Sequence, residues 1–195
     1  CPGMPASWYG GAVVSVTNGQ PVVAVARPHI GSQVTTYNGF TAGANTFYVP
    51  MLFNNMWESY DAALYVQNVG SSTSNVSISF YDAATGGLTC TMTDSVLPKA
   101  SKGYWLPFIT CPGMPASWYG SAVITSTNAV PIVAVGRPHI GSEVTTYSGF
   151  PSGGLTNYVP MLFKGMWGDY DSALYVQNVS GSTANITIDF YDISG

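Results

Sequence analysis

The ten-residue segment CPGMPASWYG occurs twice in the chain, at residues 1–10 and again at residues 111–120. When residues 111–195 are aligned with residues 1–85, 56 of the 85 positions are identical and no gap is needed. Self-similarity at a fixed period is the sequence signature of a repeat architecture. The sequence therefore predicts one full repeat of about 110 residues, 1–110, followed by an incomplete second repeat, 111–195.

Within each repeat the apolar residues follow the pattern of short β-strands. Val76, Ile78 and Phe80 alternate with smaller polar side chains, and the second copy keeps this alternation. A period of two indicates a half-buried antiparallel strand. Two hairpins are predicted, one at residues 62–82 and one at residues 7–26 around an Asn-Gly turn. No segment has a helical apolar period, so we expect an all-β protein of two tandem immunoglobulin-like β-sandwich repeats, the second incomplete.

The repeat can also be divided at another point. A boundary near Asp61 would let the hairpin at residues 62–82 open the domain, so that residues 61–170 form one whole sandwich. Residues 1–60 and 171–195 would then be parts of adjacent sandwiches. Such pieces could complete each other between neighbouring molecules by strand addition.

The composition limits the partners of the chain. Only 7% of the residues are charged, the net charge is −4, and there are five basic residues, which argues against a nucleic-acid surface. No apolar run approaches the length of a transmembrane helix. Low charge gives little repulsion between molecules, which suits a protein that works in an assembly. We therefore expect a homopolymer of identical subunits, with no cofactor and no metal.

The three cysteines also follow the repeat. Cys1 and Cys111 occupy the same repeat position, so the pairing consistent with the period joins Cys90 to Cys111. Three free buried cysteines are the alternative. A disulfide would indicate an oxidising, extracellular setting.

The tryptophans and histidines are candidates for contacts with glycans or with neighbouring units. The candidate residues are Trp8, Trp57, Trp118, Trp167, His29 and His139. An aromatic platform could stack on sugars, whereas packing in the core or an interface is the simpler explanation. Each histidine lies in the sequence RPHIGS, where it could bind an anion, contact a neighbour or hydrogen-bond the backbone of a turn.

The acidic residues and the sequons provide weaker candidates. Only Asp61 repeats, as Asp171, and one shared carboxylate per unit favours a loop residue that accepts backbone N–H groups over calcium binding or hydrolysis. Asn75, Asn178 and Asn185 begin N-x-Ser/Thr sequons and are possible glycosylation sites. No nucleophile or metal ligand accompanies the histidines, so we expect no enzymatic activity.

The strand motifs ALYVQNV, NVSISFYDA, GYWLPF, PVVAVA and YVPMLF resemble tandem β-sandwich repeats in large secreted surface proteins of bacteria, notably filamentous, Chloroflexi-like ones. The resemblance extends over the whole chain and implies an extracellular, multi-repeat protein with a structural or adhesive role. It brings no catalytic residues.

Together these features predict a structural subunit of an extracellular filament or surface layer, assembled head to tail through β-strand complementation. The alternative is a secreted carbohydrate-binding or adhesin module that uses its tryptophans as a stacking surface.

Overall fold

The computed structural model describes residues 3–57, 59–166, 168 and 170–192. The chain divides into two compact units, Cys1–Ser152 and Gly153–Gly195. Cys1 and Trp167, which are among the residues discussed from the sequence, lie outside the described residues.

The first unit begins with four two-residue strands: β1 Val25–Ala26, β2 His29–Ile30, β3 Gln33–Val34 and β4 Tyr37–Asn38. β1 pairs with β4 and β2 pairs with β3, both antiparallel. The prediction of a hairpin at residues 7–26 is wrong here, because residues 7–24 contain no strand and β1 is all that remains of the return strand. The valines of this segment are exposed, so no partner strand covers them.

The longer strands follow in the same unit. They are β5 Thr46–Asn54, β6 Asp61–Asn68, β7 Ser74–Asp82, β8 Leu88–Val96, β9 Ser101–Trp105, β10 Trp118–Ser126 and β11 Ile132–Ile140, then the short β12 Glu143–Val144 and β13 Tyr147–Ser148. One 3₁₀ turn, Leu106–Phe108, follows β9. We call residues 46–148 the central sandwich.

Two antiparallel sheets form the central sandwich. One has the strand order β5-β10-β7-β8, and the other has the order β12-β11-β6-β9, with β13 also paired to β11. β10 and β11 belong to the second copy of the repeat, whereas the strands they pair with, β5, β7 and β6, belong to the first. The protein is therefore all-β, and its sandwich joins strands from both copies.

The core lies between the two sheets and takes its side chains from both of them. Alternate residues of β7 and β10 point inward, and Ile124 lies opposite Ile78 on one neighbouring strand and Phe47 on the other. All three side chains are fully buried. The predicted alternation at residues 74–82 is confirmed, since Val76, Ile78 and Phe80 are buried.

Two glycines permit close approaches in this packing. A Cβ at Gly120 would collide with the carbonyl oxygen of Tyr81, and a Cβ at Gly136 would lie 2.6 Å from the ring of Tyr147. The hydroxyl of Tyr147 donates to the carbonyl oxygen of Met51 at 2.8 Å and accepts the Met51 N–H at 2.9 Å. The tyrosine thus links the β11–β13 edge to β5.

The second unit, Gly153–Gly195, has no strand among its described residues. An isolated bridge joins Met166 to Tyr170, and the carboxylate of Asp171 accepts the N–H of Gly165 at 2.8 Å. The sequence favoured a loop residue that accepts backbone N–H groups at this repeat position. Asp61, at the same position in the first copy, likewise accepts the N–H of Asn55 at 3.1 Å.

Candidate assembly surface

Residues 7–30, which we call the N-terminal flank, repeat the sequences of β10 and β11, but form only the two-residue strands β1 and β2. Residues 8–16 correspond to β10 and residues 22–30 to β11. Ile124 of β10 is fully buried, while Val14, at the same repeat position, is 68% exposed. The other apolar side chains of this flank are also exposed: Trp8, Val13, Val16, Val22, Val23 and Val25.

Residues 156–192, the C-terminal flank, repeat the sequences of β5, β6 and β7. Their copies are residues 156–164, 171–178 and 184–192. Phe80 of β7 is fully buried, whereas its counterpart Phe190 is 76% exposed. The same reversal applies to other core positions in the copies, namely Val159, Leu162, Leu174, Val176, Ile186 and Ile188.

In both flanks, therefore, side chains whose counterparts are buried in the central sandwich are exposed to solvent. Isolated exposed apolar residues are normal, but contiguous apolar surface marks an interaction site or an aggregation hazard. Part of the C-terminal flank keeps an apolar residue at every second position, namely Ile186, Ile188 and Phe190, which is the spacing of one face of a strand. Both flanks thus expose apolar side chains at repeat positions that the central sandwich buries.

The predicted tryptophans lie in different environments. Trp118 is buried, and its indole N–H donates to the Thr89 hydroxyl at 3.0 Å. Trp57 is 59% exposed and belongs to an aromatic group with Phe53, Tyr60 and Tyr119, with ring centroids 5.1–6.2 Å from its own. Trp57 is thus an exposed tryptophan that contacts further aromatic rings, as Trp105 does with Phe108.

The two histidines occupy equivalent positions at a strand end. His139 is half-buried near the end of β11, opposite Asp61 in the register of β6. His29 is exposed and pairs with Val34 in the short β2–β3 hairpin. Among the described residues, no three His, Cys, Asp or Glu side chains converge into a metal-binding group.

The three sequon asparagines are all exposed. Asn75 accepts the Ser95 hydroxyl at 2.9 Å, and Asn178 donates to the carbonyl oxygen of Ser182 at 2.6 Å. Asn185 lies in the copy of β7. Their exposure is compatible with modification, which stays a prediction.

Cys90 and Cys111 form the disulfide that the period of the repeat predicted, with a sequence separation of 21 residues. Both cysteines are buried, and the bond ties β8 to the segment that leads into β10. The disulfide therefore anchors β8, an edge strand whose sequence is repeated in neither flank.

A polar cluster on the same edge strands joins β8 to β9. Lys102 Nζ lies 2.8 Å from a carboxylate oxygen of Asp94, and the Tyr104 hydroxyl donates to the other carboxylate oxygen at 3.1 Å. Burial alone would raise the pKa of Asp94, but hydrogen bonds from Lys102, the Ser95 N–H and Tyr104 lower it overall. Burial, followed by the Asp94 charge, raises the pKa of Tyr104.

Sequence reasoning missed an aromatic cleft beside this cluster. The Arg137 guanidinium carbon lies 5.7 Å from the centroid of the Tyr65 ring and 5.9 Å from that of Trp105. Tyr9 completes the cleft, with its ring centroid 6.0 Å from that of Tyr65. Because β6, β9 and β11 bring these residues together from distant parts of the chain, no local motif could have indicated the cleft.

Comparisons with known proteins give few matches. No family model and no curated protein matches the chain. Among solved structures, the crystal structure of Thermotoga maritima 1070 is 20% identical, with a TM-score of 0.45 over 55% of this chain and 94% of that one. The Anabaena sensory rhodopsin transducer is 18% identical, with a TM-score of 0.38 over 49% of this chain and 97% of that one. At these TM-scores neither likeness supports a statement about fold or function.

The described residues contain no helix long and apolar enough to cross a membrane.

Proposed function

We propose that this chain is a structural subunit of an extracellular filament or surface layer, built from immunoglobulin-like sandwich repeats and assembled head to tail through β-strand complementation. One observation carries the proposal: sequences that are buried as β5, β6, β7, β10 and β11 are exposed where they recur in the flanks. Its role is structural rather than enzymatic, and its main partner is a second copy of the same chain.

The energetic argument concerns the exposed apolar side chains. Burying one Val, Leu, Ile or Phe side chain is worth about 1.5–3 kcal/mol. The C-terminal flank alone exposes seven of them at positions that are buried in the central sandwich: Val159, Leu162, Leu174, Val176, Ile186, Ile188 and Phe190. Covering even half of this set would offset a substantial part of the entropy lost on association. With only 7% charged residues, electrostatic repulsion opposes such contacts weakly.

The flanks are also different surfaces, which determines the kind of assembly. One flank carries copies of β10 and β11 and the other carries copies of β5, β6 and β7. Contacts between unlike surfaces are heterologous and produce an open filament unless the rotation closes a ring. The Cys90–Cys111 disulfide supports an oxidising, extracellular or cell-surface location.

Electron microscopy of the full chain, combined with light scattering over a range of concentrations, tests the proposal. We expect regular filaments or sheets whose repeat matches one or two sandwiches. Ile188→Asp, which places a charge on the exposed apolar face, should abolish them. Thr187→Asp is the matched control, because it adds the same charge at the neighbouring position on the opposite face of the strand pattern. A monomer of 20.6 kDa at every concentration would overturn the proposal.

The alternative is a secreted carbohydrate-binding or adhesin module, and the exposed indole of Trp57 favours it. Phe53, Tyr60 and Tyr119 contact that ring, and more than half of the Trp57 surface stays accessible to a sugar. A glycan array with the full chain and with Trp57→Ala tests this function. Binding that disappears in the variant would support it, and no signal from the parent chain would remove it.

A further inference from the structure

The pairings of the central sandwich specify how the flanks of two molecules would combine. We propose that residues 8–30 of one copy and residues 156–192 of a second copy form a composite sandwich with the registers of the central one. This inference rests on the proposed function and names its partner: a second copy of this chain, bound through its opposite flank.

The strand order supports this arrangement. In one central sheet β10 lies between β5 and β7, and in the other β11 lies next to β6. The copies of β10 and β11 lie in the N-terminal flank, while the copies of β5, β6 and β7 lie in the C-terminal flank. Each of these interior pairings therefore needs one strand from each flank, so neither flank can rebuild them alone.

The proposed composite does not involve the edge strands β8 and β9. Neither flank repeats residues 86–110, which hold β8 and β9. Both of these strands are outermost in their sheets. The copies present in the two flanks therefore cover the pairings of β10 with β5 and β7 and the pairing of β11 with β6.

A linked pair of substitutions indicates that the flanks share a core. Ser74 and Ser126 are both buried in the central sandwich, and their hydroxyls hydrogen-bond at 3.0 Å. At the equivalent positions the C-terminal flank has Ala184 and the N-terminal flank has Val16. If only one serine had changed, the other hydroxyl would lose this bond and keep only its longer one, to the Val130 carbonyl oxygen for Ser74 or to the Asn128 side chain for Ser126. Both hydroxyls are instead replaced by apolar groups, as expected if the two positions touch.

Two other substitutions distinguish the composite core from the central one, and the replacement of a buried phenylalanine by Asn157 makes it looser. Asn157 stands at the position of Phe47, which is fully buried, and Ala26 stands at the position of Gly136. A Cβ at Gly136 would lie 2.6 Å from the ring of Tyr147, whereas Ala26 already pairs with Tyr37, the counterpart of Tyr147, in the β1–β4 pair. These differences predict a reversible association rather than a second permanent core.

Cysteine cross-linking tests the register directly. Thr125 pairs with Ser77 in the central sandwich, and both side chains are on the outer face, so the composite should pair Ser15 with Thr187. Register partners lie close enough for a disulfide. With Cys1→Ser as background, one chain carrying Ser15→Cys is mixed with a differently tagged chain carrying Thr187→Cys and oxidised. We expect a covalent dimer with one chain of each kind.

The matched control replaces Thr187→Cys by Tyr191→Cys. Tyr81, the central counterpart of Tyr191, pairs with Ser121 instead of Thr125, four residues away along the strand. This separation is roughly 13 Å, too far for a disulfide. Equal cross-linking in both mixtures would overturn the inference, as would closure of the Ser15→Cys, Thr187→Cys double variant on itself as a monomer. In every variant an intact Cys90–Cys111 disulfide confirms that the central sandwich has folded.

A rescue experiment tests the shared core. Val16→Ser places a hydroxyl opposite Ala184, at the position where Ser74 would accept or donate a hydrogen bond in the central sandwich. Because Ala184 supplies no such partner, we expect assembly to weaken at least tenfold. Adding Ala184→Ser recreates the Ser–Ser pair and should restore most of the loss. Additive weakening in the double variant would overturn the composite core. Filaments without Ser15–Thr187 cross-links would overturn this inference alone, whereas an absence of filaments and cross-links would overturn the proposed function as well.

Discussion

Ile78 and Ile188 occupy the same position of the repeat and have nearly the same neighbours in sequence, yet one is fully buried and the other is 45% exposed. Both lie in segments with the same apolar alternation. The difference lies in what surrounds them: β7 is paired with β10 on one side and β8 on the other, whereas its copy at residues 184–192 forms no strand.

This comparison separates local sequence from tertiary context. Alternation defines which face of a strand is apolar, but burial depends on partner strands that are far away in the chain. β10 pairs with β5, which lies more than sixty residues earlier in the chain. The copies of these two strands in the flanks have no such pairing. The same repeat sequence is therefore found both as buried strands of a sandwich and as exposed segments.

The largest effect should come from placing a charge at each of these isoleucines. Ile78→Asp buries a carboxylate in the core without a partner, and we expect it to destabilise the central sandwich by about 4 kcal/mol or more. Ile188→Asp should leave the sandwich unchanged and remove only assembly. Urea unfolding measured by near-ultraviolet circular dichroism distinguishes the two. If Ile188→Asp lowers the unfolding midpoint as much as Ile78→Asp, the two isoleucines contribute equally to the stability of the fold, which contradicts the difference in their burial.

The disulfide is the next largest contribution, and it belongs to the segment that the flanks do not repeat. Replacing both Cys90 and Cys111 by serine should destabilise the central sandwich by about 3 kcal/mol, because a closed loop of this length restricts the unfolded chain. Reduction of the parent protein should have the same effect. A parent chain whose urea midpoint is unaffected by reductant would contradict this expectation.

Much of the fold could be predicted from the sequence, since alternation identified the hairpin at residues 62–82 and the period identified the partner of Cys111. The sequence also predicted a hairpin at residues 7–26, where the structure has only the two-residue β1. Patterns at residues 7–17 and in β10 are nearly the same, so no local signal could distinguish them. The cleft between Trp105 and Arg137 could not be predicted from the sequence either, because it depends on which strands lie next to β6 in the sheet.

Asn157, at the repeat position of Phe47, allows a further test of the difference between the central sandwich and the flanks. It is a polar substitution at a position where the central sandwich buries Phe47 against Phe40, with ring centroids 5.5 Å apart. In the composite sandwich Asn157→Phe should strengthen association by about 1.5 kcal/mol, or roughly tenfold in the dissociation constant. Light scattering against concentration measures it.

The control for this variant is Tyr158→Phe, a neighbouring change at a position whose counterpart Tyr48 lies outside the core. It should leave association unchanged. Equal effects of the two variants would indicate unspecific stickiness instead of a defined core.

The smallest effect concerns Asp94, whose cluster joins β8 to β9 in the segment that neither flank repeats. The pKa of its carboxyl is lowered in the folded state, because the hydrogen bonds and charge of its partners outweigh the effect of burial. A folded pKa below the unfolded value of about 3.9 means that the ionised form stabilises the fold. That contribution is present above the unfolded pKa and is lost as the pH falls through the folded pKa.

Asp94→Asn should therefore destabilise the central sandwich at neutral pH, by less than about 1 kcal/mol because the ion pair is partly exposed and screened. The difference between parent and variant should shrink as the pH is lowered below about 4. Urea midpoints at several pH values measure this. Assembly should respond less than stability, since the flanks contain no counterpart of this cluster; a difference that is constant from pH 7 to pH 3 would show that the charge of Asp94 contributes nothing to the edge strands.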